Sequence, residues 1–124
     1  DGDYVFPDYD DYCLAGISKT ALSVLDSSFT RQLPDDVFDG VRDGGVENVV
    51  ALLVDGFGYE DWKRNRASNP FLSALTEHGT VTPLTSVYPS ETAAALTTNH
   101  TGVQPVEHGL LGWYQYSQEF DGLV

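Results

Sequence analysis

Two short segments of this sequence hold the residue types from which metal-assisted phosphoryl chemistry can be built. The first, Val49-Val50-Ala51-Leu52-Leu53-Val54-Asp55-Gly56-Phe57-Gly58, is an apolar run that ends in a carboxylate among small residues. A carboxylate so placed is a good ligand for a hard metal ion, and Gly56 and Gly58 let a substrate approach the backbone. Asp-Gly is also a common turn pair, so from this segment alone Asp55 reads more readily as a turn aspartate. The second segment, Tyr88-Pro89-Ser90-Glu91-Thr92-Ala93-Ala94-Ala95, places Thr92 in the first turn of an expected helix. Helix N-termini offer unpaired N–H groups and partial positive charge, a natural seat for phosphate. An alcohol there becomes a useful nucleophile only where a base or a metal lowers its pKa. The plainer alternative makes Ser90 an N-cap and Thr92 an ordinary first-turn residue.

These side chains need elements to hold them. Val46 to Val54 is β-branched and apolar on both faces, which predicts a buried parallel strand with Asp55 at its carboxyl end. Gly56 and Gly58 break the strand, and a helix is expected from about Glu60. A second helix begins at Asn69, with Asn69 as cap, Pro70 in the first turn, Gly79 at the end and Phe71, Leu72 and Leu75 as the buried stripe. Thr80 to Val87 alternates apolar residues with hydroxyls and predicts a second strand, interrupted by Pro83. A helix from about Ser90 to His100 follows, ended by Thr101-Gly102, then a turn at Gln104-Pro105 and an aromatic run from Gly112 to Tyr116. Upstream, Leu14, Ile17, Ala21, Leu22 and Leu25 recur at helical spacing, with an end at Asp26-Ser27-Ser28. Residues 31–46 read as connection with one short turn around Val37 and Phe38, and residues 1–12 as a loose acidic arm. The order strand, helix, strand, helix predicts an α/β fold with a parallel sheet.

The chain has 124 residues and 41 % hydrophobic composition, which fits one domain with a core of its own. Its 19 acidic residues against 6 basic ones give a net charge of −13. Such a surface repels nucleic acid, because no basic patch is present to displace counterions from phosphates. It favours solubility at the cost of self-repulsion that high salt would screen, which reads as an acidic protein of a halophilic source. An acidic protein that handles anionic substrates needs metal ions to reverse the local field. No apolar run approaches the ~20 residues of a membrane-spanning helix, so no membrane partner is expected. Cys13 is the single cysteine, so no internal disulfide forms, and a reducing, cytoplasmic setting is expected. Trp62 and Trp113 read as packing residues.

Taken together, the segments resemble a known family. Val50 to Gly58 looks like the first metal-aspartate strand of the alkaline phosphatase superfamily, and Asn69-Pro70-Phe71-Leu72-Ser73-Ala74-Leu75 with Gly79 is similar to the helix that comes next. Tyr88-Pro89-Ser90-Glu91-Thr92, Thr101-Gly102-Val103-Gln104-Pro105 and His108-Gly109-Leu110-Leu111-Gly112 resemble its type I phosphodiesterase/nucleotide pyrophosphatase branch. The resemblance implies an alkaline-phosphatase-like, mostly parallel sheet flanked by helices, with residues 1–124 as one partial, N-terminal domain and 46–116 as its recognisable core. It implies a hydrolase of phosphodiesters or other phosphate esters, nucleotides among them. Thr92 would be the nucleophile, forming a phospho-threonine, and Asp55, with Thr92, a ligand in a site of two divalent ions, zinc or else manganese or magnesium. His108-Gly109 would form a structural turn, and His78, His100 and His108 do not follow the family's ligand pattern. The remaining ligands of the family lie beyond the equivalent of Val124. The alternative expectation is therefore a non-catalytic remnant or acidic binding module of the same fold, with an exposed sheet edge open to pairing.

Overall fold

A computed structural model describes residues 4–38 and 46–124. The glycine-rich centre of the expected 31–46 connection, and the first three residues of the expected arm, lie outside the described residues. A single 3-10 turn, Leu14–Gly16, leads into helix α1, Ile17–Leu25. A second such turn covers Asp35–Phe38, where the sequence predicts a short turn. Helices α2 (Tyr59–Asn65), α3 (Pro70–His78), α4 (Thr92–Thr101) and α5 (Pro105–His108) follow in order. Strands β1 (Tyr116–Ser117) and β2 (Gly122–Leu123) close the described chain as an antiparallel hairpin.

The helix ends follow local chemistry. Asn69 accepts hydrogen bonds from the Phe71 and Leu72 N–H groups through Oδ1, and Pro70 occupies the first turn of α3 where its missing N–H costs nothing. Gly102 ends α4 in the left-handed region at φ 69°, donating its N–H to the Thr98 carbonyl at 2.8 Å. Two expectations shift by a residue or a face. The cap of α4 is Glu91 rather than Ser90, because the longer carboxylate reaches the Ala93 N–H at 2.9 Å. In α3 only Leu72 is buried, while Phe71 and Leu75 are exposed, since no described element packs against their side.

The core forms where α4 meets the start of the chain. Cys13, Ala15 and Val87 are buried together, with Tyr9, Leu14 and Ala95 packed around them. Ala94 and Thr98 of α4 are fully buried, and the small side chains of Ala93 to Ala95 allow that close approach. Gly16 answers a similar demand: a Cβ there would lie 2.8 Å from Leu33 Cδ2. Ser18 Oγ donates to the Asn99 carbonyl, tying α1 to α4. The acidic arm is held from Asp8 onward. The Asp8 N–H donates to Thr85 Oγ1, the Tyr88 N–H donates to Tyr9 Oη, and Tyr12 Oη donates to Asp36 Oδ2.

The parallel sheet is where structure and sequence part. Residues 46–54 adopt neither helix nor ladder among the described residues, and their apolar side chains are largely solvent-facing, Val50 at 91 % and Leu52 at 83 % exposure. Residues 80–87 make one parallel bridge, Cys13 to Thr85. There Leu14 N–H donates to the Thr85 carbonyl at 3.0 Å and Thr85 N–H to the Tyr12 carbonyl at 2.8 Å. A parallel strand that is apolar on both faces is stable only with neighbours on both edges and layers on both faces. The described residues do not supply them to 46–54, so the pattern is present without the pairing that would bury it.

Candidate active-site cleft

Thr92 is placed by the start of α4. Glu91 stays extended (φ −86°, ψ 145°) and caps the helix, so Thr92 becomes the first helical residue. The alanines behind it favour helix strongly and carry no bulk over the cleft. Asp55 is placed by a turn: Asp55-Gly56 does form one, with Gly56 at φ 73°, a conformation that glycine adopts without strain. The turn reading of Asp55 therefore holds, and its carboxylate lines a cleft. Among the described residues neither the Asp55 carboxylate nor the Thr92 hydroxyl has a hydrogen-bond partner.

Both residues line one cleft of about 550 Å³. Gly56 and Gly58 form its lip beside Asp55, and Ser90 and Ala95 flank Thr92. The hydroxyls of Thr82 and Ser86 also border it, a contribution the sequence reading passed over. Their i, i+4 spacing in an extended segment was the available signal, since every second residue of extended chain shares a face. Ser90 was read only as a cap; released from that task by Glu91, it is exposed on the cleft wall.

The surroundings separate packing residues from chemistry. Trp62 is 8 % exposed, stacked on Tyr59 at 5.4 Å between ring centroids, with the Arg66 guanidinium 5.1 Å from its own centroid. Its ring is a wall of the cleft rather than a free stacking surface. His108 is likewise occupied. Its Nδ1 accepts the Leu110 N–H at 3.0 Å, which places the proton on Nε2, 3.0 Å from the buried Thr98 Oγ1. With Gly109 at φ 72° closing α5, that geometry belongs to a turn. His78 and His100 lie at exposed helix ends, away from the cleft lining.

The helix seat for phosphate is more contested than its sequence implies. The Glu91 carboxylate already holds the Ala93 N–H and puts negative charge beside the α4 N-terminus. It stabilises the helix and opposes an incoming anion. A cation bound at Asp55 and Thr92 would offset that opposition.

The family model for type I phosphodiesterase / nucleotide pyrophosphatase matches residues 49–121, more than half of the chain and the stretch that contains both Asp55 and Thr92. The chain belongs to the type I phosphodiesterase/nucleotide pyrophosphatase family. No curated protein and no solved structure matched it. The family acts on phosphate esters and generally depends on divalent metal ions. Asp55 and Thr92 supply hard oxygen donors of the right chemistry for such an ion. They are two, against roughly four around zinc or six around magnesium. Among the described residues no group of three or more His, Cys, Asp and Glu side chains could hold a metal. A two-ion set does not fit on the described residues alone. No helix among them is long and apolar enough to cross a membrane.

Proposed function

We propose that the cleft hydrolyses a phosphate ester, with Thr92 as the nucleophile and Asp55 as the carboxylate that holds a divalent cation. The observation that carries this reading is the convergence of Asp55 and Thr92, both without protein partners, on one cleft. The Thr92 oxygen attacks phosphorus in line with the leaving group. A Thr92 O–P bond forms as the ester P–O bond breaks, and water later cleaves the phospho-threonine. A bound divalent cation would lower the pKa of the attacking hydroxyl and neutralise charge on the phosphoryl oxygens. Gly56 and Gly58 leave room for substrate beside Asp55.

The same reading assigns the apolar run 46–54 to a strand of an alkaline-phosphatase-like parallel sheet, reached when a neighbouring strand pairs with its exposed edge. Asp55 would then stand at a strand's carboxyl end, the usual place for ligands in open α/β sheets.

The test is hydrolysis of bis-p-nitrophenyl phosphate with added zinc or manganese, comparing the chain with Thr92→Ala and Asp55→Asn. Thr92→Ala is expected to abolish turnover, and Asp55→Asn to weaken manganese binding as read directly by water-proton relaxation. Turnover that survives Thr92→Ala would remove Thr92 from the nucleophile's role. Unchanged manganese affinity in Asp55→Asn would remove Asp55 from the metal's.

A further inference from the structure

Residues 46–54 carry a demand for burial that the described residues leave unmet. Every residue from 47 to 54 is exposed, and among the described residues no hydrogen bond reaches the backbone of 46–54. The ends of the segment border cavities: Val46, Asn48 and Val49 line one of about 500 Å³, and Leu53 and Val54 line the cleft. Val50, Ala51 and Leu52 line neither and are open to solvent. The surface of the whole chain makes the same point. It is 9329 Å², where a folded monomer of 13.6 kDa has about 6,600 Å². The excess far exceeds the ~800 Å² that each partner buries in a standard stable interface.

The order of residues around Ala51 says what can cover this segment. Outward from Ala51 stands an aliphatic pair on each side, Val50-Val49 and Leu52-Leu53. Next come the uncharged Asn48 and Val54, and then a carboxylate at each end, Glu47 and Asp55. The segment is palindromic in residue class. A two-fold axis at Ala51 lets one patch serve both subunits, the self-complementarity that an isologous interface requires. Strands related in this way are antiparallel. We propose that residues 47–55 form an antiparallel ladder with the same segment of a second copy of this chain, centred on Ala51. In this register the largely exposed Val50 faces Leu52 of the second copy, and Val49 faces its Leu53. Ala51 meets its own counterpart on the axis, where a small side chain leaves room. Glu47 stands opposite Asp55 at each end, a like-charge pair that opposes the contact, as does the net charge of −13 on each chain. Salt screens both, so the dilute chain at low salt is monomeric and pairs as salt and concentration rise. The ladder takes one edge of the segment and leaves the other for a parallel neighbour. It does not rest on the reading of Thr92 above.

Sedimentation equilibrium of the unaltered chain at sub-millimolar concentration checks the association, and engineered thiols check the register. The chain is expected to be mainly monomeric at about 0.1 M potassium chloride and mainly dimeric at about 1 M. Facing residues of an antiparallel ladder lie ~4.5–5.5 Å apart between Cα atoms, within reach of a disulfide. Ala51→Cys, on the axis, is therefore expected to form a covalent dimer when diamide oxidises the paired thiols. In Val49→Cys the two thiols stand roughly four residues apart along the ladder, or ~13 Å, and cross-linking is expected to be at least about tenfold slower. The native Cys13 is buried and stays silent. Glu47→Lys turns both end pairs into opposite charges and is expected to tighten the dimer about tenfold at low salt. A chain that stays monomeric at about 1 M salt overturns the proposal. So do equal cross-linking rates in Ala51→Cys and Val49→Cys, open-ended assemblies in place of a dimer, or unchanged association in Glu47→Lys. The sedimentation test uses the unaltered chain, so its outcome does not depend on how a variant folds.

Discussion

At the scale of single residues, carboxylates decide most of what is distinctive. Glu91 serves α4 as a cap while opposing an anion at the same helix end. Glu91→Gln keeps an acceptor for the Ala93 N–H and removes the charge. Its expected effect is little change in stability and a several-fold tighter binding of inorganic phosphate in the cleft, measured by phosphorus line broadening. Glu91→Ala should also lose the cap, costing about 1 kcal/mol in denaturant unfolding. Phosphate affinity that is the same in all three proteins would show that Glu91 does not set the field at Thr92. Tyr12 is a second case. Its hydroxyl donates to Asp36, and that hydrogen bond, with the nearby acidic charges, raises its pKa above the ordinary 10.0. The protonated form is favoured in the folded chain. The stability this adds is therefore complete below the unfolded pKa and is lost as pH rises through the higher folded one. Tyr12→Phe is expected to flatten the decline of stability above about pH 10, in the window between the unfolded pKa and the raised folded one. An alkaline limb of equal slope in both proteins would contradict the linkage.

At the scale of elements, legibility in the sequence tracks how local the governing physics is. The cap at Asn69, the proline in the first turn of α3 and the glycine stop after α4 depend on groups within a few residues, and each stands where the sequence places it. Glu91 displaced Ser90 as cap because the choice between neighbouring acceptors turns on side-chain reach, which residue type alone does not set. The strand over 46–54 depends on partners distant in sequence, and its period-free apolar pattern carries no information about whether they are present. The β1–β2 hairpin was missed for the complementary reason: two-residue strands are too short to leave an alternating pattern. Residues 46–54 make no ladder among the described residues, whereas α4 is packed against α1 and the Leu14–Gly16 turn. Amide exchange should therefore be fast across 46–54 and slow in the centre of α4. Protection in 46–54 matching that of α4 would mean that the segment is paired in solution.

At the scale of the whole molecule, charge and apolar exposure pull in opposite directions. A net charge of −13 spreads repulsion over the chain, while the exposed side chains of 46–54 and of the C-terminal hairpin favour association. Among the described residues the ion pairs Arg31–Asp35, Lys63–Glu60 and Arg64–Asp61 are exposed and local, so they contribute little against that repulsion. Raising potassium chloride from about 0.1 M to 1 M shortens the screening length from ~10 Å to ~3 Å. The thermal midpoint is expected to rise by several degrees over that range. A midpoint that falls or stays flat would show that surface charge does not limit this fold.

By itself the sequence determined the residue types of the cleft, the caps of α3 and the end of α4, and the family, because caps, spacing and motif order are written in neighbouring residues. That reading left Asp55 open between turn and ligand, and the folded chain shows the turn. Only the tertiary structure brought Asp55 and Thr92 to one cleft and set Glu91 against the helix seat. It also withheld the parallel sheet from 46–54. These outcomes depend on which distant segments meet, and hydrophobic pattern states a demand for burial without naming the surface that will meet it.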